Sequence, residues 1–315
     1  MILVISEAND ITTNEVIEWL NHFNADYVRS NFTSYTKLNY IQLSNDSCHV
    51  ALLDIEDIAI KKIWNRRGGL RLLPTSLRGK KNLYPYLKKE ENSLLKSLED
   101  ILNKKVDYVG SYHMEVENYK LDYLLLAKEV GLNIPETLIT TSKKEVFQFF
   151  EKHKSIITKD IRYPIKVNLT DITIFSSGTF VVNYDMIKSM EEDFAPTLVQ
   201  KKIEKKYEIR IFFFKERLFP MAILSQNDQK TAVDYRNYNR EKPNRNIPVL
   251  LPKKIEKKVK DFINLSTLST GSLDLIVSQS NDYIFLEVNP QGQLDWVSKN
   301  CNYYIEKEIA EYLIA

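Results

Sequence analysis

Close to the C-terminus, Tyr283-Ile-Phe-Leu-Glu287-Val-Asn289-Pro290 carries an apolar strand into a carboxylate and, two residues on, a side-chain amide. Side chains two apart on a strand share a face, so Glu287 and Asn289 can hold one ion between them. Asp274 stands thirteen residues before Glu287, in Ser272-Leu-Asp-Leu-Ile-Val. If it lies on the neighbouring strand, three oxygen ligands meet at one sheet end. That donor set suits a hard cation such as Mg²⁺ carrying nucleotide phosphates, rather than zinc or haem.

Three upstream pieces extend this chemistry. Lys120 sits early in a helical pattern, and Lys159 ends the apolar stretch Ser155-Ile-Ile-Thr-Lys159. A strand-end lysine can reach a phosphate while its stem stays packed. Between Gln200 and Glu204 a strand runs through Lys201, Lys202 and Ile203 into a short polar link, where free backbone N–H and C=O groups can meet an adenine edge. Glu208 can accept from ribose hydroxyls, and Arg210, two residues later on the same face, can pair with a phosphoryl group. Taken singly, each lysine also reads as one of 44 basic residues on a solvated surface, and the charged strand as a guarded sheet edge. The order of all four pieces is what makes a candidate site.

The 315 residues that must position them suffice for two or three domains. No apolar run approaches the roughly 20 residues of a membrane span. The start, MILVISEAND, reads as a buried strand and not a signal peptide. Cys48 and Cys301 form no CxxC, and His22, His49, His113 and His153 show no ligand spacing, so a structural zinc site is not expected and the chain reads as cytoplasmic. Residues 1–60 carry nine acidic and two basic groups, whereas residues 61–90 carry ten basic and one acidic. That excess reads either as a solvated lysine-rich face or as attraction for a polyanion. It lacks the aromatic pattern of an RNA-binding sheet, and no nucleic-acid partner is expected.

A strand over 1–5, a helix capped by Thr12 or Thr13, alternating segments at 38–43, 48–54 and 58–65, and a helix near 86–103 predict an α/β first domain. Next come a helix over about 118–130 stopped by Gly131, and a capping box, Ser142-x-x-Glu145, opening a helix to His153. In that helix Phe147, Phe149 and Phe150 read as core or as a peptide groove. A hairpin turning at Ser176-Ser-Gly178 is expected. Segments 198–203, 208–214 and 218–225 read as one antiparallel meander, 227–250 as a long loop, 253–265 as a helix, and about 303–313 as a final helix.

On Lys120, Lys159, Gln200–Glu204, Glu208-Ile-Arg210, Asp274 and Leu286-Glu-Val-Asn-Pro290, the chain resembles the ATP-grasp superfamily over 118–315. More narrowly it resembles graspetide maturases of the grasp-with-spasm type. Trp64-Asn-Arg66-Arg67-Gly68 is similar to their tryptophan–double-arginine segment, and the stretch from Asn289 through Ser298 to Cys301-Asn-Tyr-Tyr is similar to their C-terminal stretch. The resemblance implies a three-part α/β (α+β) ATP-grasp fold. Its parts would be an N-terminal α/β domain over 1–117, a small central part over 118–195 and an antiparallel-sheet part over 196–315. It implies ATP and Mg²⁺, with Lys120, Lys159, Gln200, Lys201, Lys202, Ile203, Glu204 and Glu208 on the nucleotide and Asp274, Glu287 and Asn289 on the metal. Lys159, Arg210 and Arg236 would serve the chemistry, and Arg66, Arg67 and Arg236 the substrate. Arg236, in Asp234-Tyr-Arg236, is the candidate for gripping the acceptor carboxylate, and an ordinary loop arginine is the other reading.

The implied reaction is phosphorylation of an Asp or Glu side chain of a precursor peptide, followed by attack of a Ser/Thr hydroxyl or Lys amine of the same peptide. The implied partners are a leader-bearing precursor with an acidic, Thr-rich core, docked by the helix over 142–153, and a second copy of the chain. The rival readings are a ligase adding free amino acids to a protein or peptide, and a non-catalytic ATP-binding scaffold. One departure is plain: many ATP-grasp enzymes cover the phosphates with a glycine-rich loop, but residues 160–177 contain no glycine.

Overall fold

The computed structural model describes every residue except 54, 78, 163–165, 169–171, 176–177, 229–230, 232–233 and 236–238, and it describes no side chain at 166–167 or 173–175. The chain forms two compact units. The first is Met1–Glu117 with Leu268–Gly271 and Asn289–Ala315, and the second is Asn118–Thr267 with Ser272–Val288.

The first unit opens with β1 (Ile2–Ser6), buried at all five positions as its unbroken apolar run requires. Helix α1 (Ile11–His22) is capped by Asp10 rather than by Thr12 or Thr13. The Asp10 carboxylate accepts from the Thr13 N–H at 2.7 Å and from the Thr13 hydroxyl at 2.7 Å. A carboxylate at N-cap also meets the positive end of the helix dipole. Next come β2 (Tyr27–Asn31), β3 (Leu38–Leu43), β4 (Cys48–Leu52), β5 (Ile55–Glu56) and β6 (Lys62–Asn65). Helix α2 (Tyr84–Lys105), β7 (Asp107–Val109) and α3 (Tyr112–Val116) follow. A parallel sheet runs β2-β1-β6-β7, while β3-β4-β5 forms a separate antiparallel sheet. Leu95, Leu98 and Leu102 of α2 close the core over Leu3, Ile5 and Ile63. Five of the ten basic residues of 61–90 are buried or paired inside this unit: Arg66 and Arg71 are buried, and Lys62, Arg67 and Lys88 pair with carboxylates.

The second unit holds α4 (Lys120–Glu129), β8 (Thr137–Ser142), α5 (Lys143–His153), β9 (Ile156–Lys159), β10 (Lys166–Asn168), β11 (Thr173–Phe175), β12 (Phe180–Val182), α6 (Tyr184–Ser189) and β13 (Asp193–Lys201). It continues with β14 (Lys205–Phe214), β15 (Arg217–Leu224), β16 (Arg245–Pro248), α7 (Lys253–Ser266) and all but the terminal residues of β17 (Thr270–Ser278) and β18 (Tyr283–Asn289). One sheet is ordered β12-β9-β13-β8 and a second β16-β15-β14-β17-β18. Four expectations change here. The 198–203 strand is not part of a meander, because β13 pairs with β8 and β9 while β14 and β15 pair with each other. The hairpin is β10 with β11, and β12 pairs with β9 instead; residues 176–177 of the expected turn lie outside the described residues. Part of the expected loop is strand, since β16 pairs with β15. Ser142 precedes α5 but makes no side-chain cap.

Helices α4 and α7 cover the second sheet, with the Phe262 ring 5.0 Å from Phe285 and 6.1 Å from Tyr123. Phe149 and Phe150 pack against the core of the first sheet, while Phe147 is 39% exposed. After β18 the chain returns to the first unit through α8 (Asp295–Cys301) and α9 (Ile305–Ile314), and α9 packs on α1. Residues 196–315, grouped together from the sequence, are therefore divided between the units. Among the described residues no helix is long and apolar enough to cross a membrane.

Candidate active site

Strand order in the second sheet sets three adjacent strands, β14, β17 and β18, side by side. Each brings a charged residue to the site. Glu208 and Arg210 lie two apart on β14 and thus on one face. Arg210 Nη1 donates to Asp274 Oδ1 at 3.1 Å and to Oδ2 at 2.9 Å. Both side chains are nearly buried, at 8% and 11% exposure. Burial is the largest influence and works against the Arg210 charge, but Asp274, Tyr235 and Glu287 together outweigh it and raise the guanidinium above its ordinary pKa. On β18, Glu287 lies 3.8 Å from the Lys120 ammonium, which also donates to the Asp160 carbonyl at 3.2 Å. Asn289 ends β18 two residues further on, half-buried.

A cleft of about 650 Å³, counting the part open to solvent, runs between the two sheets of the second unit. Lys159, at the end of β9, lines it with Gln200, Lys201, Ile203, Glu208, Asp274 and Glu287. Gln200 is buried and its amide donates to the Thr137 hydroxyl at 2.8 Å. In the link that follows, the Lys202 N–H is used by Ser155 and the Glu204 carbonyl by Gln279, whereas the Ile203 N–H and C=O have no partner among the described residues. Ile157, Ile203, Ile276 and Leu286 give the same cleft an apolar wall. Exposed amide edges beside an apolar wall suit a flat heterocycle; charges at the other end suit phosphates.

Burial is the largest influence on Glu208 and pushes its carboxyl up, while the Lys205 ammonium pulls it back. Lys205, Ser225, Asp234 and Tyr235 were not singled out in the sequence. Asp234 and Tyr235 line the cleft, and Lys205 contacts Glu208 from behind it. The signal for Lys205 was its place at the head of the Glu208 strand, where a buried cation looks like any other lysine.

The remaining candidates fall elsewhere. Lys202 and Glu204 are not among the residues that line the cleft. Arg236 lies outside the described residues. Arg66, expected to face a substrate, is instead buried within the first unit, where its Nη1 donates to the Gln291 and Gly292 carbonyls at 2.9 Å each. Its neighbour Arg67 is 41% exposed and pairs with Glu7 and Asp10 at 3.8 Å. One further acidic group is found in the first unit: Glu15, Asp295 and Glu306 have oxygens within 4.8 Å of one another. Lys299 bridges Glu15 and Asp295, which marks the group as an ion-pair knot.

No protein-family model matches the sequence, and no curated protein matches it. Solved structures do. A Chryseobacterium gregarium RiPP-associated ATP-grasp ligase, in complex with ADP and a leader and core peptide, is 24% identical with a TM-score of 0.82, covering 99% of this chain and 96% of its own. The macrocyclase MdnC of Microcystis aeruginosa, bound with precursor peptide MdnA, is 24% identical with a TM-score of 0.78, covering 100% and 99%. The ATP-grasp ligase PsnB, complexed with a minimal precursor, Mg and ADP, is 14% identical with a TM-score of 0.76, covering 99% and 96%. From end to end, the chain has the ATP-grasp fold.

Proposed function

We propose that this protein is an ATP-dependent peptide macrocyclase, joining an Asp or Glu side chain of a precursor peptide to a Ser/Thr hydroxyl or Lys amine of the same peptide. The observation that carries the reading is the meeting of Lys159, Gln200, Ile203, Glu208, Asp274 and Glu287 in one cleft. Its fold, shared end to end with ligases solved with peptides, supports the choice of acceptor. The donor set fits magnesium: Asp274 and Glu287 offer carboxylate oxygens on adjacent strands, and neither cysteine nor histidine lines the cleft. Asp274, Glu287 and Asn289 would hold the ion, which when bound supplies charge neutralisation on the phosphates.

The chain's own residues do the rest. Ile203 presents backbone groups to the adenine edge, and Glu208 accepts from the ribose. Lys120, Lys159 and Arg210 offset the phosphate charge as the peptide carboxylate attacks the γ-phosphorus and ADP leaves. The acyl phosphate is then attacked by the peptide's hydroxyl or amine, inorganic phosphate departs, and the nucleophile loses its proton. Arg236 is assigned to the acceptor carboxylate on its place in the sequence, and Arg67, on its exposure, remains a candidate for the peptide.

The precursor's leader segment is assigned to the groove between α5 and α6. Lys143, Lys144, Phe147, Tyr184, Ile187 and Lys188 line it together with Glu192, a net-basic and partly aromatic surface suited to an acidic amphipathic peptide. Assembly as a homodimer is part of the proposal and is read by light scattering. Two free thiols, Cys48 and Cys301, accord with a reducing cytoplasm.

Mass spectrometry after incubation with a candidate peptide, ATP and Mg²⁺ decides the reaction. Loss of about 18 Da per bond is the expected intramolecular dehydration; a gain equal to an amino-acid residue would replace the proposal with a ligase adding free amino acids. Asp274→Asn and Glu287→Gln are each expected to abolish peptide-dependent ATP hydrolysis while peptide binding persists. Unchanged turnover in both would overturn the catalytic role given to this cleft.

A further inference from the structure

Lys205 stands behind the cleft. It opens β14 with its side chain 5% exposed, against 9% for Glu208. Its ammonium contacts Glu208 Oε1 and donates to the Thr231 carbonyl at 3.3 Å. Ser225, also buried, donates its hydroxyl to the same Oε1 at 3.1 Å. One carboxylate oxygen is thus filled by two donors. The other, Oε2, has no hydrogen-bond partner among the described residues, and Glu208 itself lines the cleft.

Withdrawing an ammonium from water is costly, and a lysine's four-carbon stem usually lets the charge reach solvent. Here the cost is offset by a carboxylate that burial alone would drive towards its neutral form. A neutral carboxyl is a weaker acceptor than a carboxylate and can turn its own O–H outward. A carboxylate held on one side by two donors keeps a fixed orientation and a single acceptor to offer.

We infer that Lys205 is a positioning residue: it holds Glu208 as an oriented carboxylate whose second oxygen accepts ribose hydroxyls, so that it sets the preference for ribonucleotide over deoxyribonucleotide without touching the nucleotide. This rests on the nucleotide reading of the cleft given above. A deoxynucleotide leaves Oε2 desolvated and unpaired, and a site built around a buried polar group rejects ligands lacking the partner.

Calorimetric titration of the full chain with ADP, 2′-deoxy-ADP and 3′-deoxy-ADP tests the inference without depending on turnover. The wild type is expected to bind ADP at least about tenfold more tightly than the weaker deoxy analogue, the factor that goes with about 1.4 kcal/mol for a charge-assisted hydrogen bond. In Lys205→Met the ratio should shrink to about twofold or less; Lys205→Arg should keep most of it, and Ser225→Ala should fall between. If Lys205→Met does not fold, Ser225→Ala decides: a full wild-type ratio there overturns the inference. A folded Lys205→Met that keeps the full ratio overturns it. So does one that binds all three nucleotides more weakly by the same factor, which is the mark of a structural role alone. A wild type that binds ADP without preferring it removes the ribose contact while sparing the nucleotide site. A wild type that binds no ADP overturns the nucleotide reading itself.

Discussion

The Arg210–Asp274 pair joins stability to the proposed chemistry, and a double-mutant cycle can separate them. Two contacts of 2.9 and 3.1 Å link groups with 8% and 11% exposure. An exposed pair of this kind contributes about 0–1 kcal/mol, whereas removing one partner of a buried pair costs about 3–5 kcal/mol, because the other charge is left without compensation. Burial here selects the second figure. Arg210→Met and Asp274→Leu are each expected to destabilise by about 3–5 kcal/mol, or roughly 6–20 °C in melting temperature at about 2–4 °C per kcal/mol. The double variant should lose far less than the sum, since neither charge remains buried alone. Peptide-dependent ATP hydrolysis should vanish in all three, so stability returns in the double variant and activity does not. Calorimetry or denaturant unfolding at neutral pH reads the first quantity and phosphate release the second. Single variants that each cost under about 1 kcal/mol would refute the reasoning, because the pair would then be screened like a surface bridge.

Two further predictions concern the first unit. Burial holds the Glu306 carboxyl above the ordinary glutamate value of 4.5. The folded state therefore binds that proton more tightly than the unfolded chain does. The associated stabilisation is fully present below the unfolded value and is lost as pH rises through the folded one. Glu306→Gln, whose amide oxygen can still accept from the Ser298 hydroxyl, should melt close to wild type at low pH and above it at pH about 7; a variant that melts lower at neutral pH would contradict this. At Gly110, with φ at +82°, an added Cβ would meet the Asn65 carbonyl oxygen at 2.0 Å. Gly110→Ala should cost about 3 kcal/mol or more, seen in thermal unfolding, and a wild-type melting curve would show that the backbone there yields.

The nucleotide end of the site was legible because it is written in short, period-two stretches. Glu208 and Arg210, and Glu287 and Asn289, declare their shared faces without any tertiary information. Which sheet a strand joins is not written locally, and this is why β13 was placed with β14 and β15. Leu198-Val-Gln has as much strand character as Glu208-Ile-Arg, and the change of sheet takes place in the three-residue link between Lys201 and Lys205. β16 was hidden for a related reason: Arg245–Pro248 has little strand character of its own and is a strand because β15 offers it an edge. Arg66 shows the limit for single residues. A guanidinium beside a second arginine suggests an anionic ligand, yet this one is taken by backbone carbonyls 225 and 226 positions away. Spacing carries no trace of such a pairing. The cap of α1 was missed by a smaller margin, since Asp10 and Thr13 cooperate and either type alone signals a helix start.

Packing of α9 on α1 brings residues 305–314 against residues 11–22, the two ends of the sequence. A ribosome delivers α1 well before α9. While the chain is being made, α1 has no α9 to pack on, and the apolar face carrying Val16 and Leu20 must wait through the synthesis of everything between them. Most of the second unit, by contrast, is contiguous and has all its strands by Asn289. The order of completion is therefore the reverse of the order of synthesis: the unit begun first is finished last. A nascent chain stalled before residue 305 should hold protease-resistant β14–β18 while α1 remains cleavable.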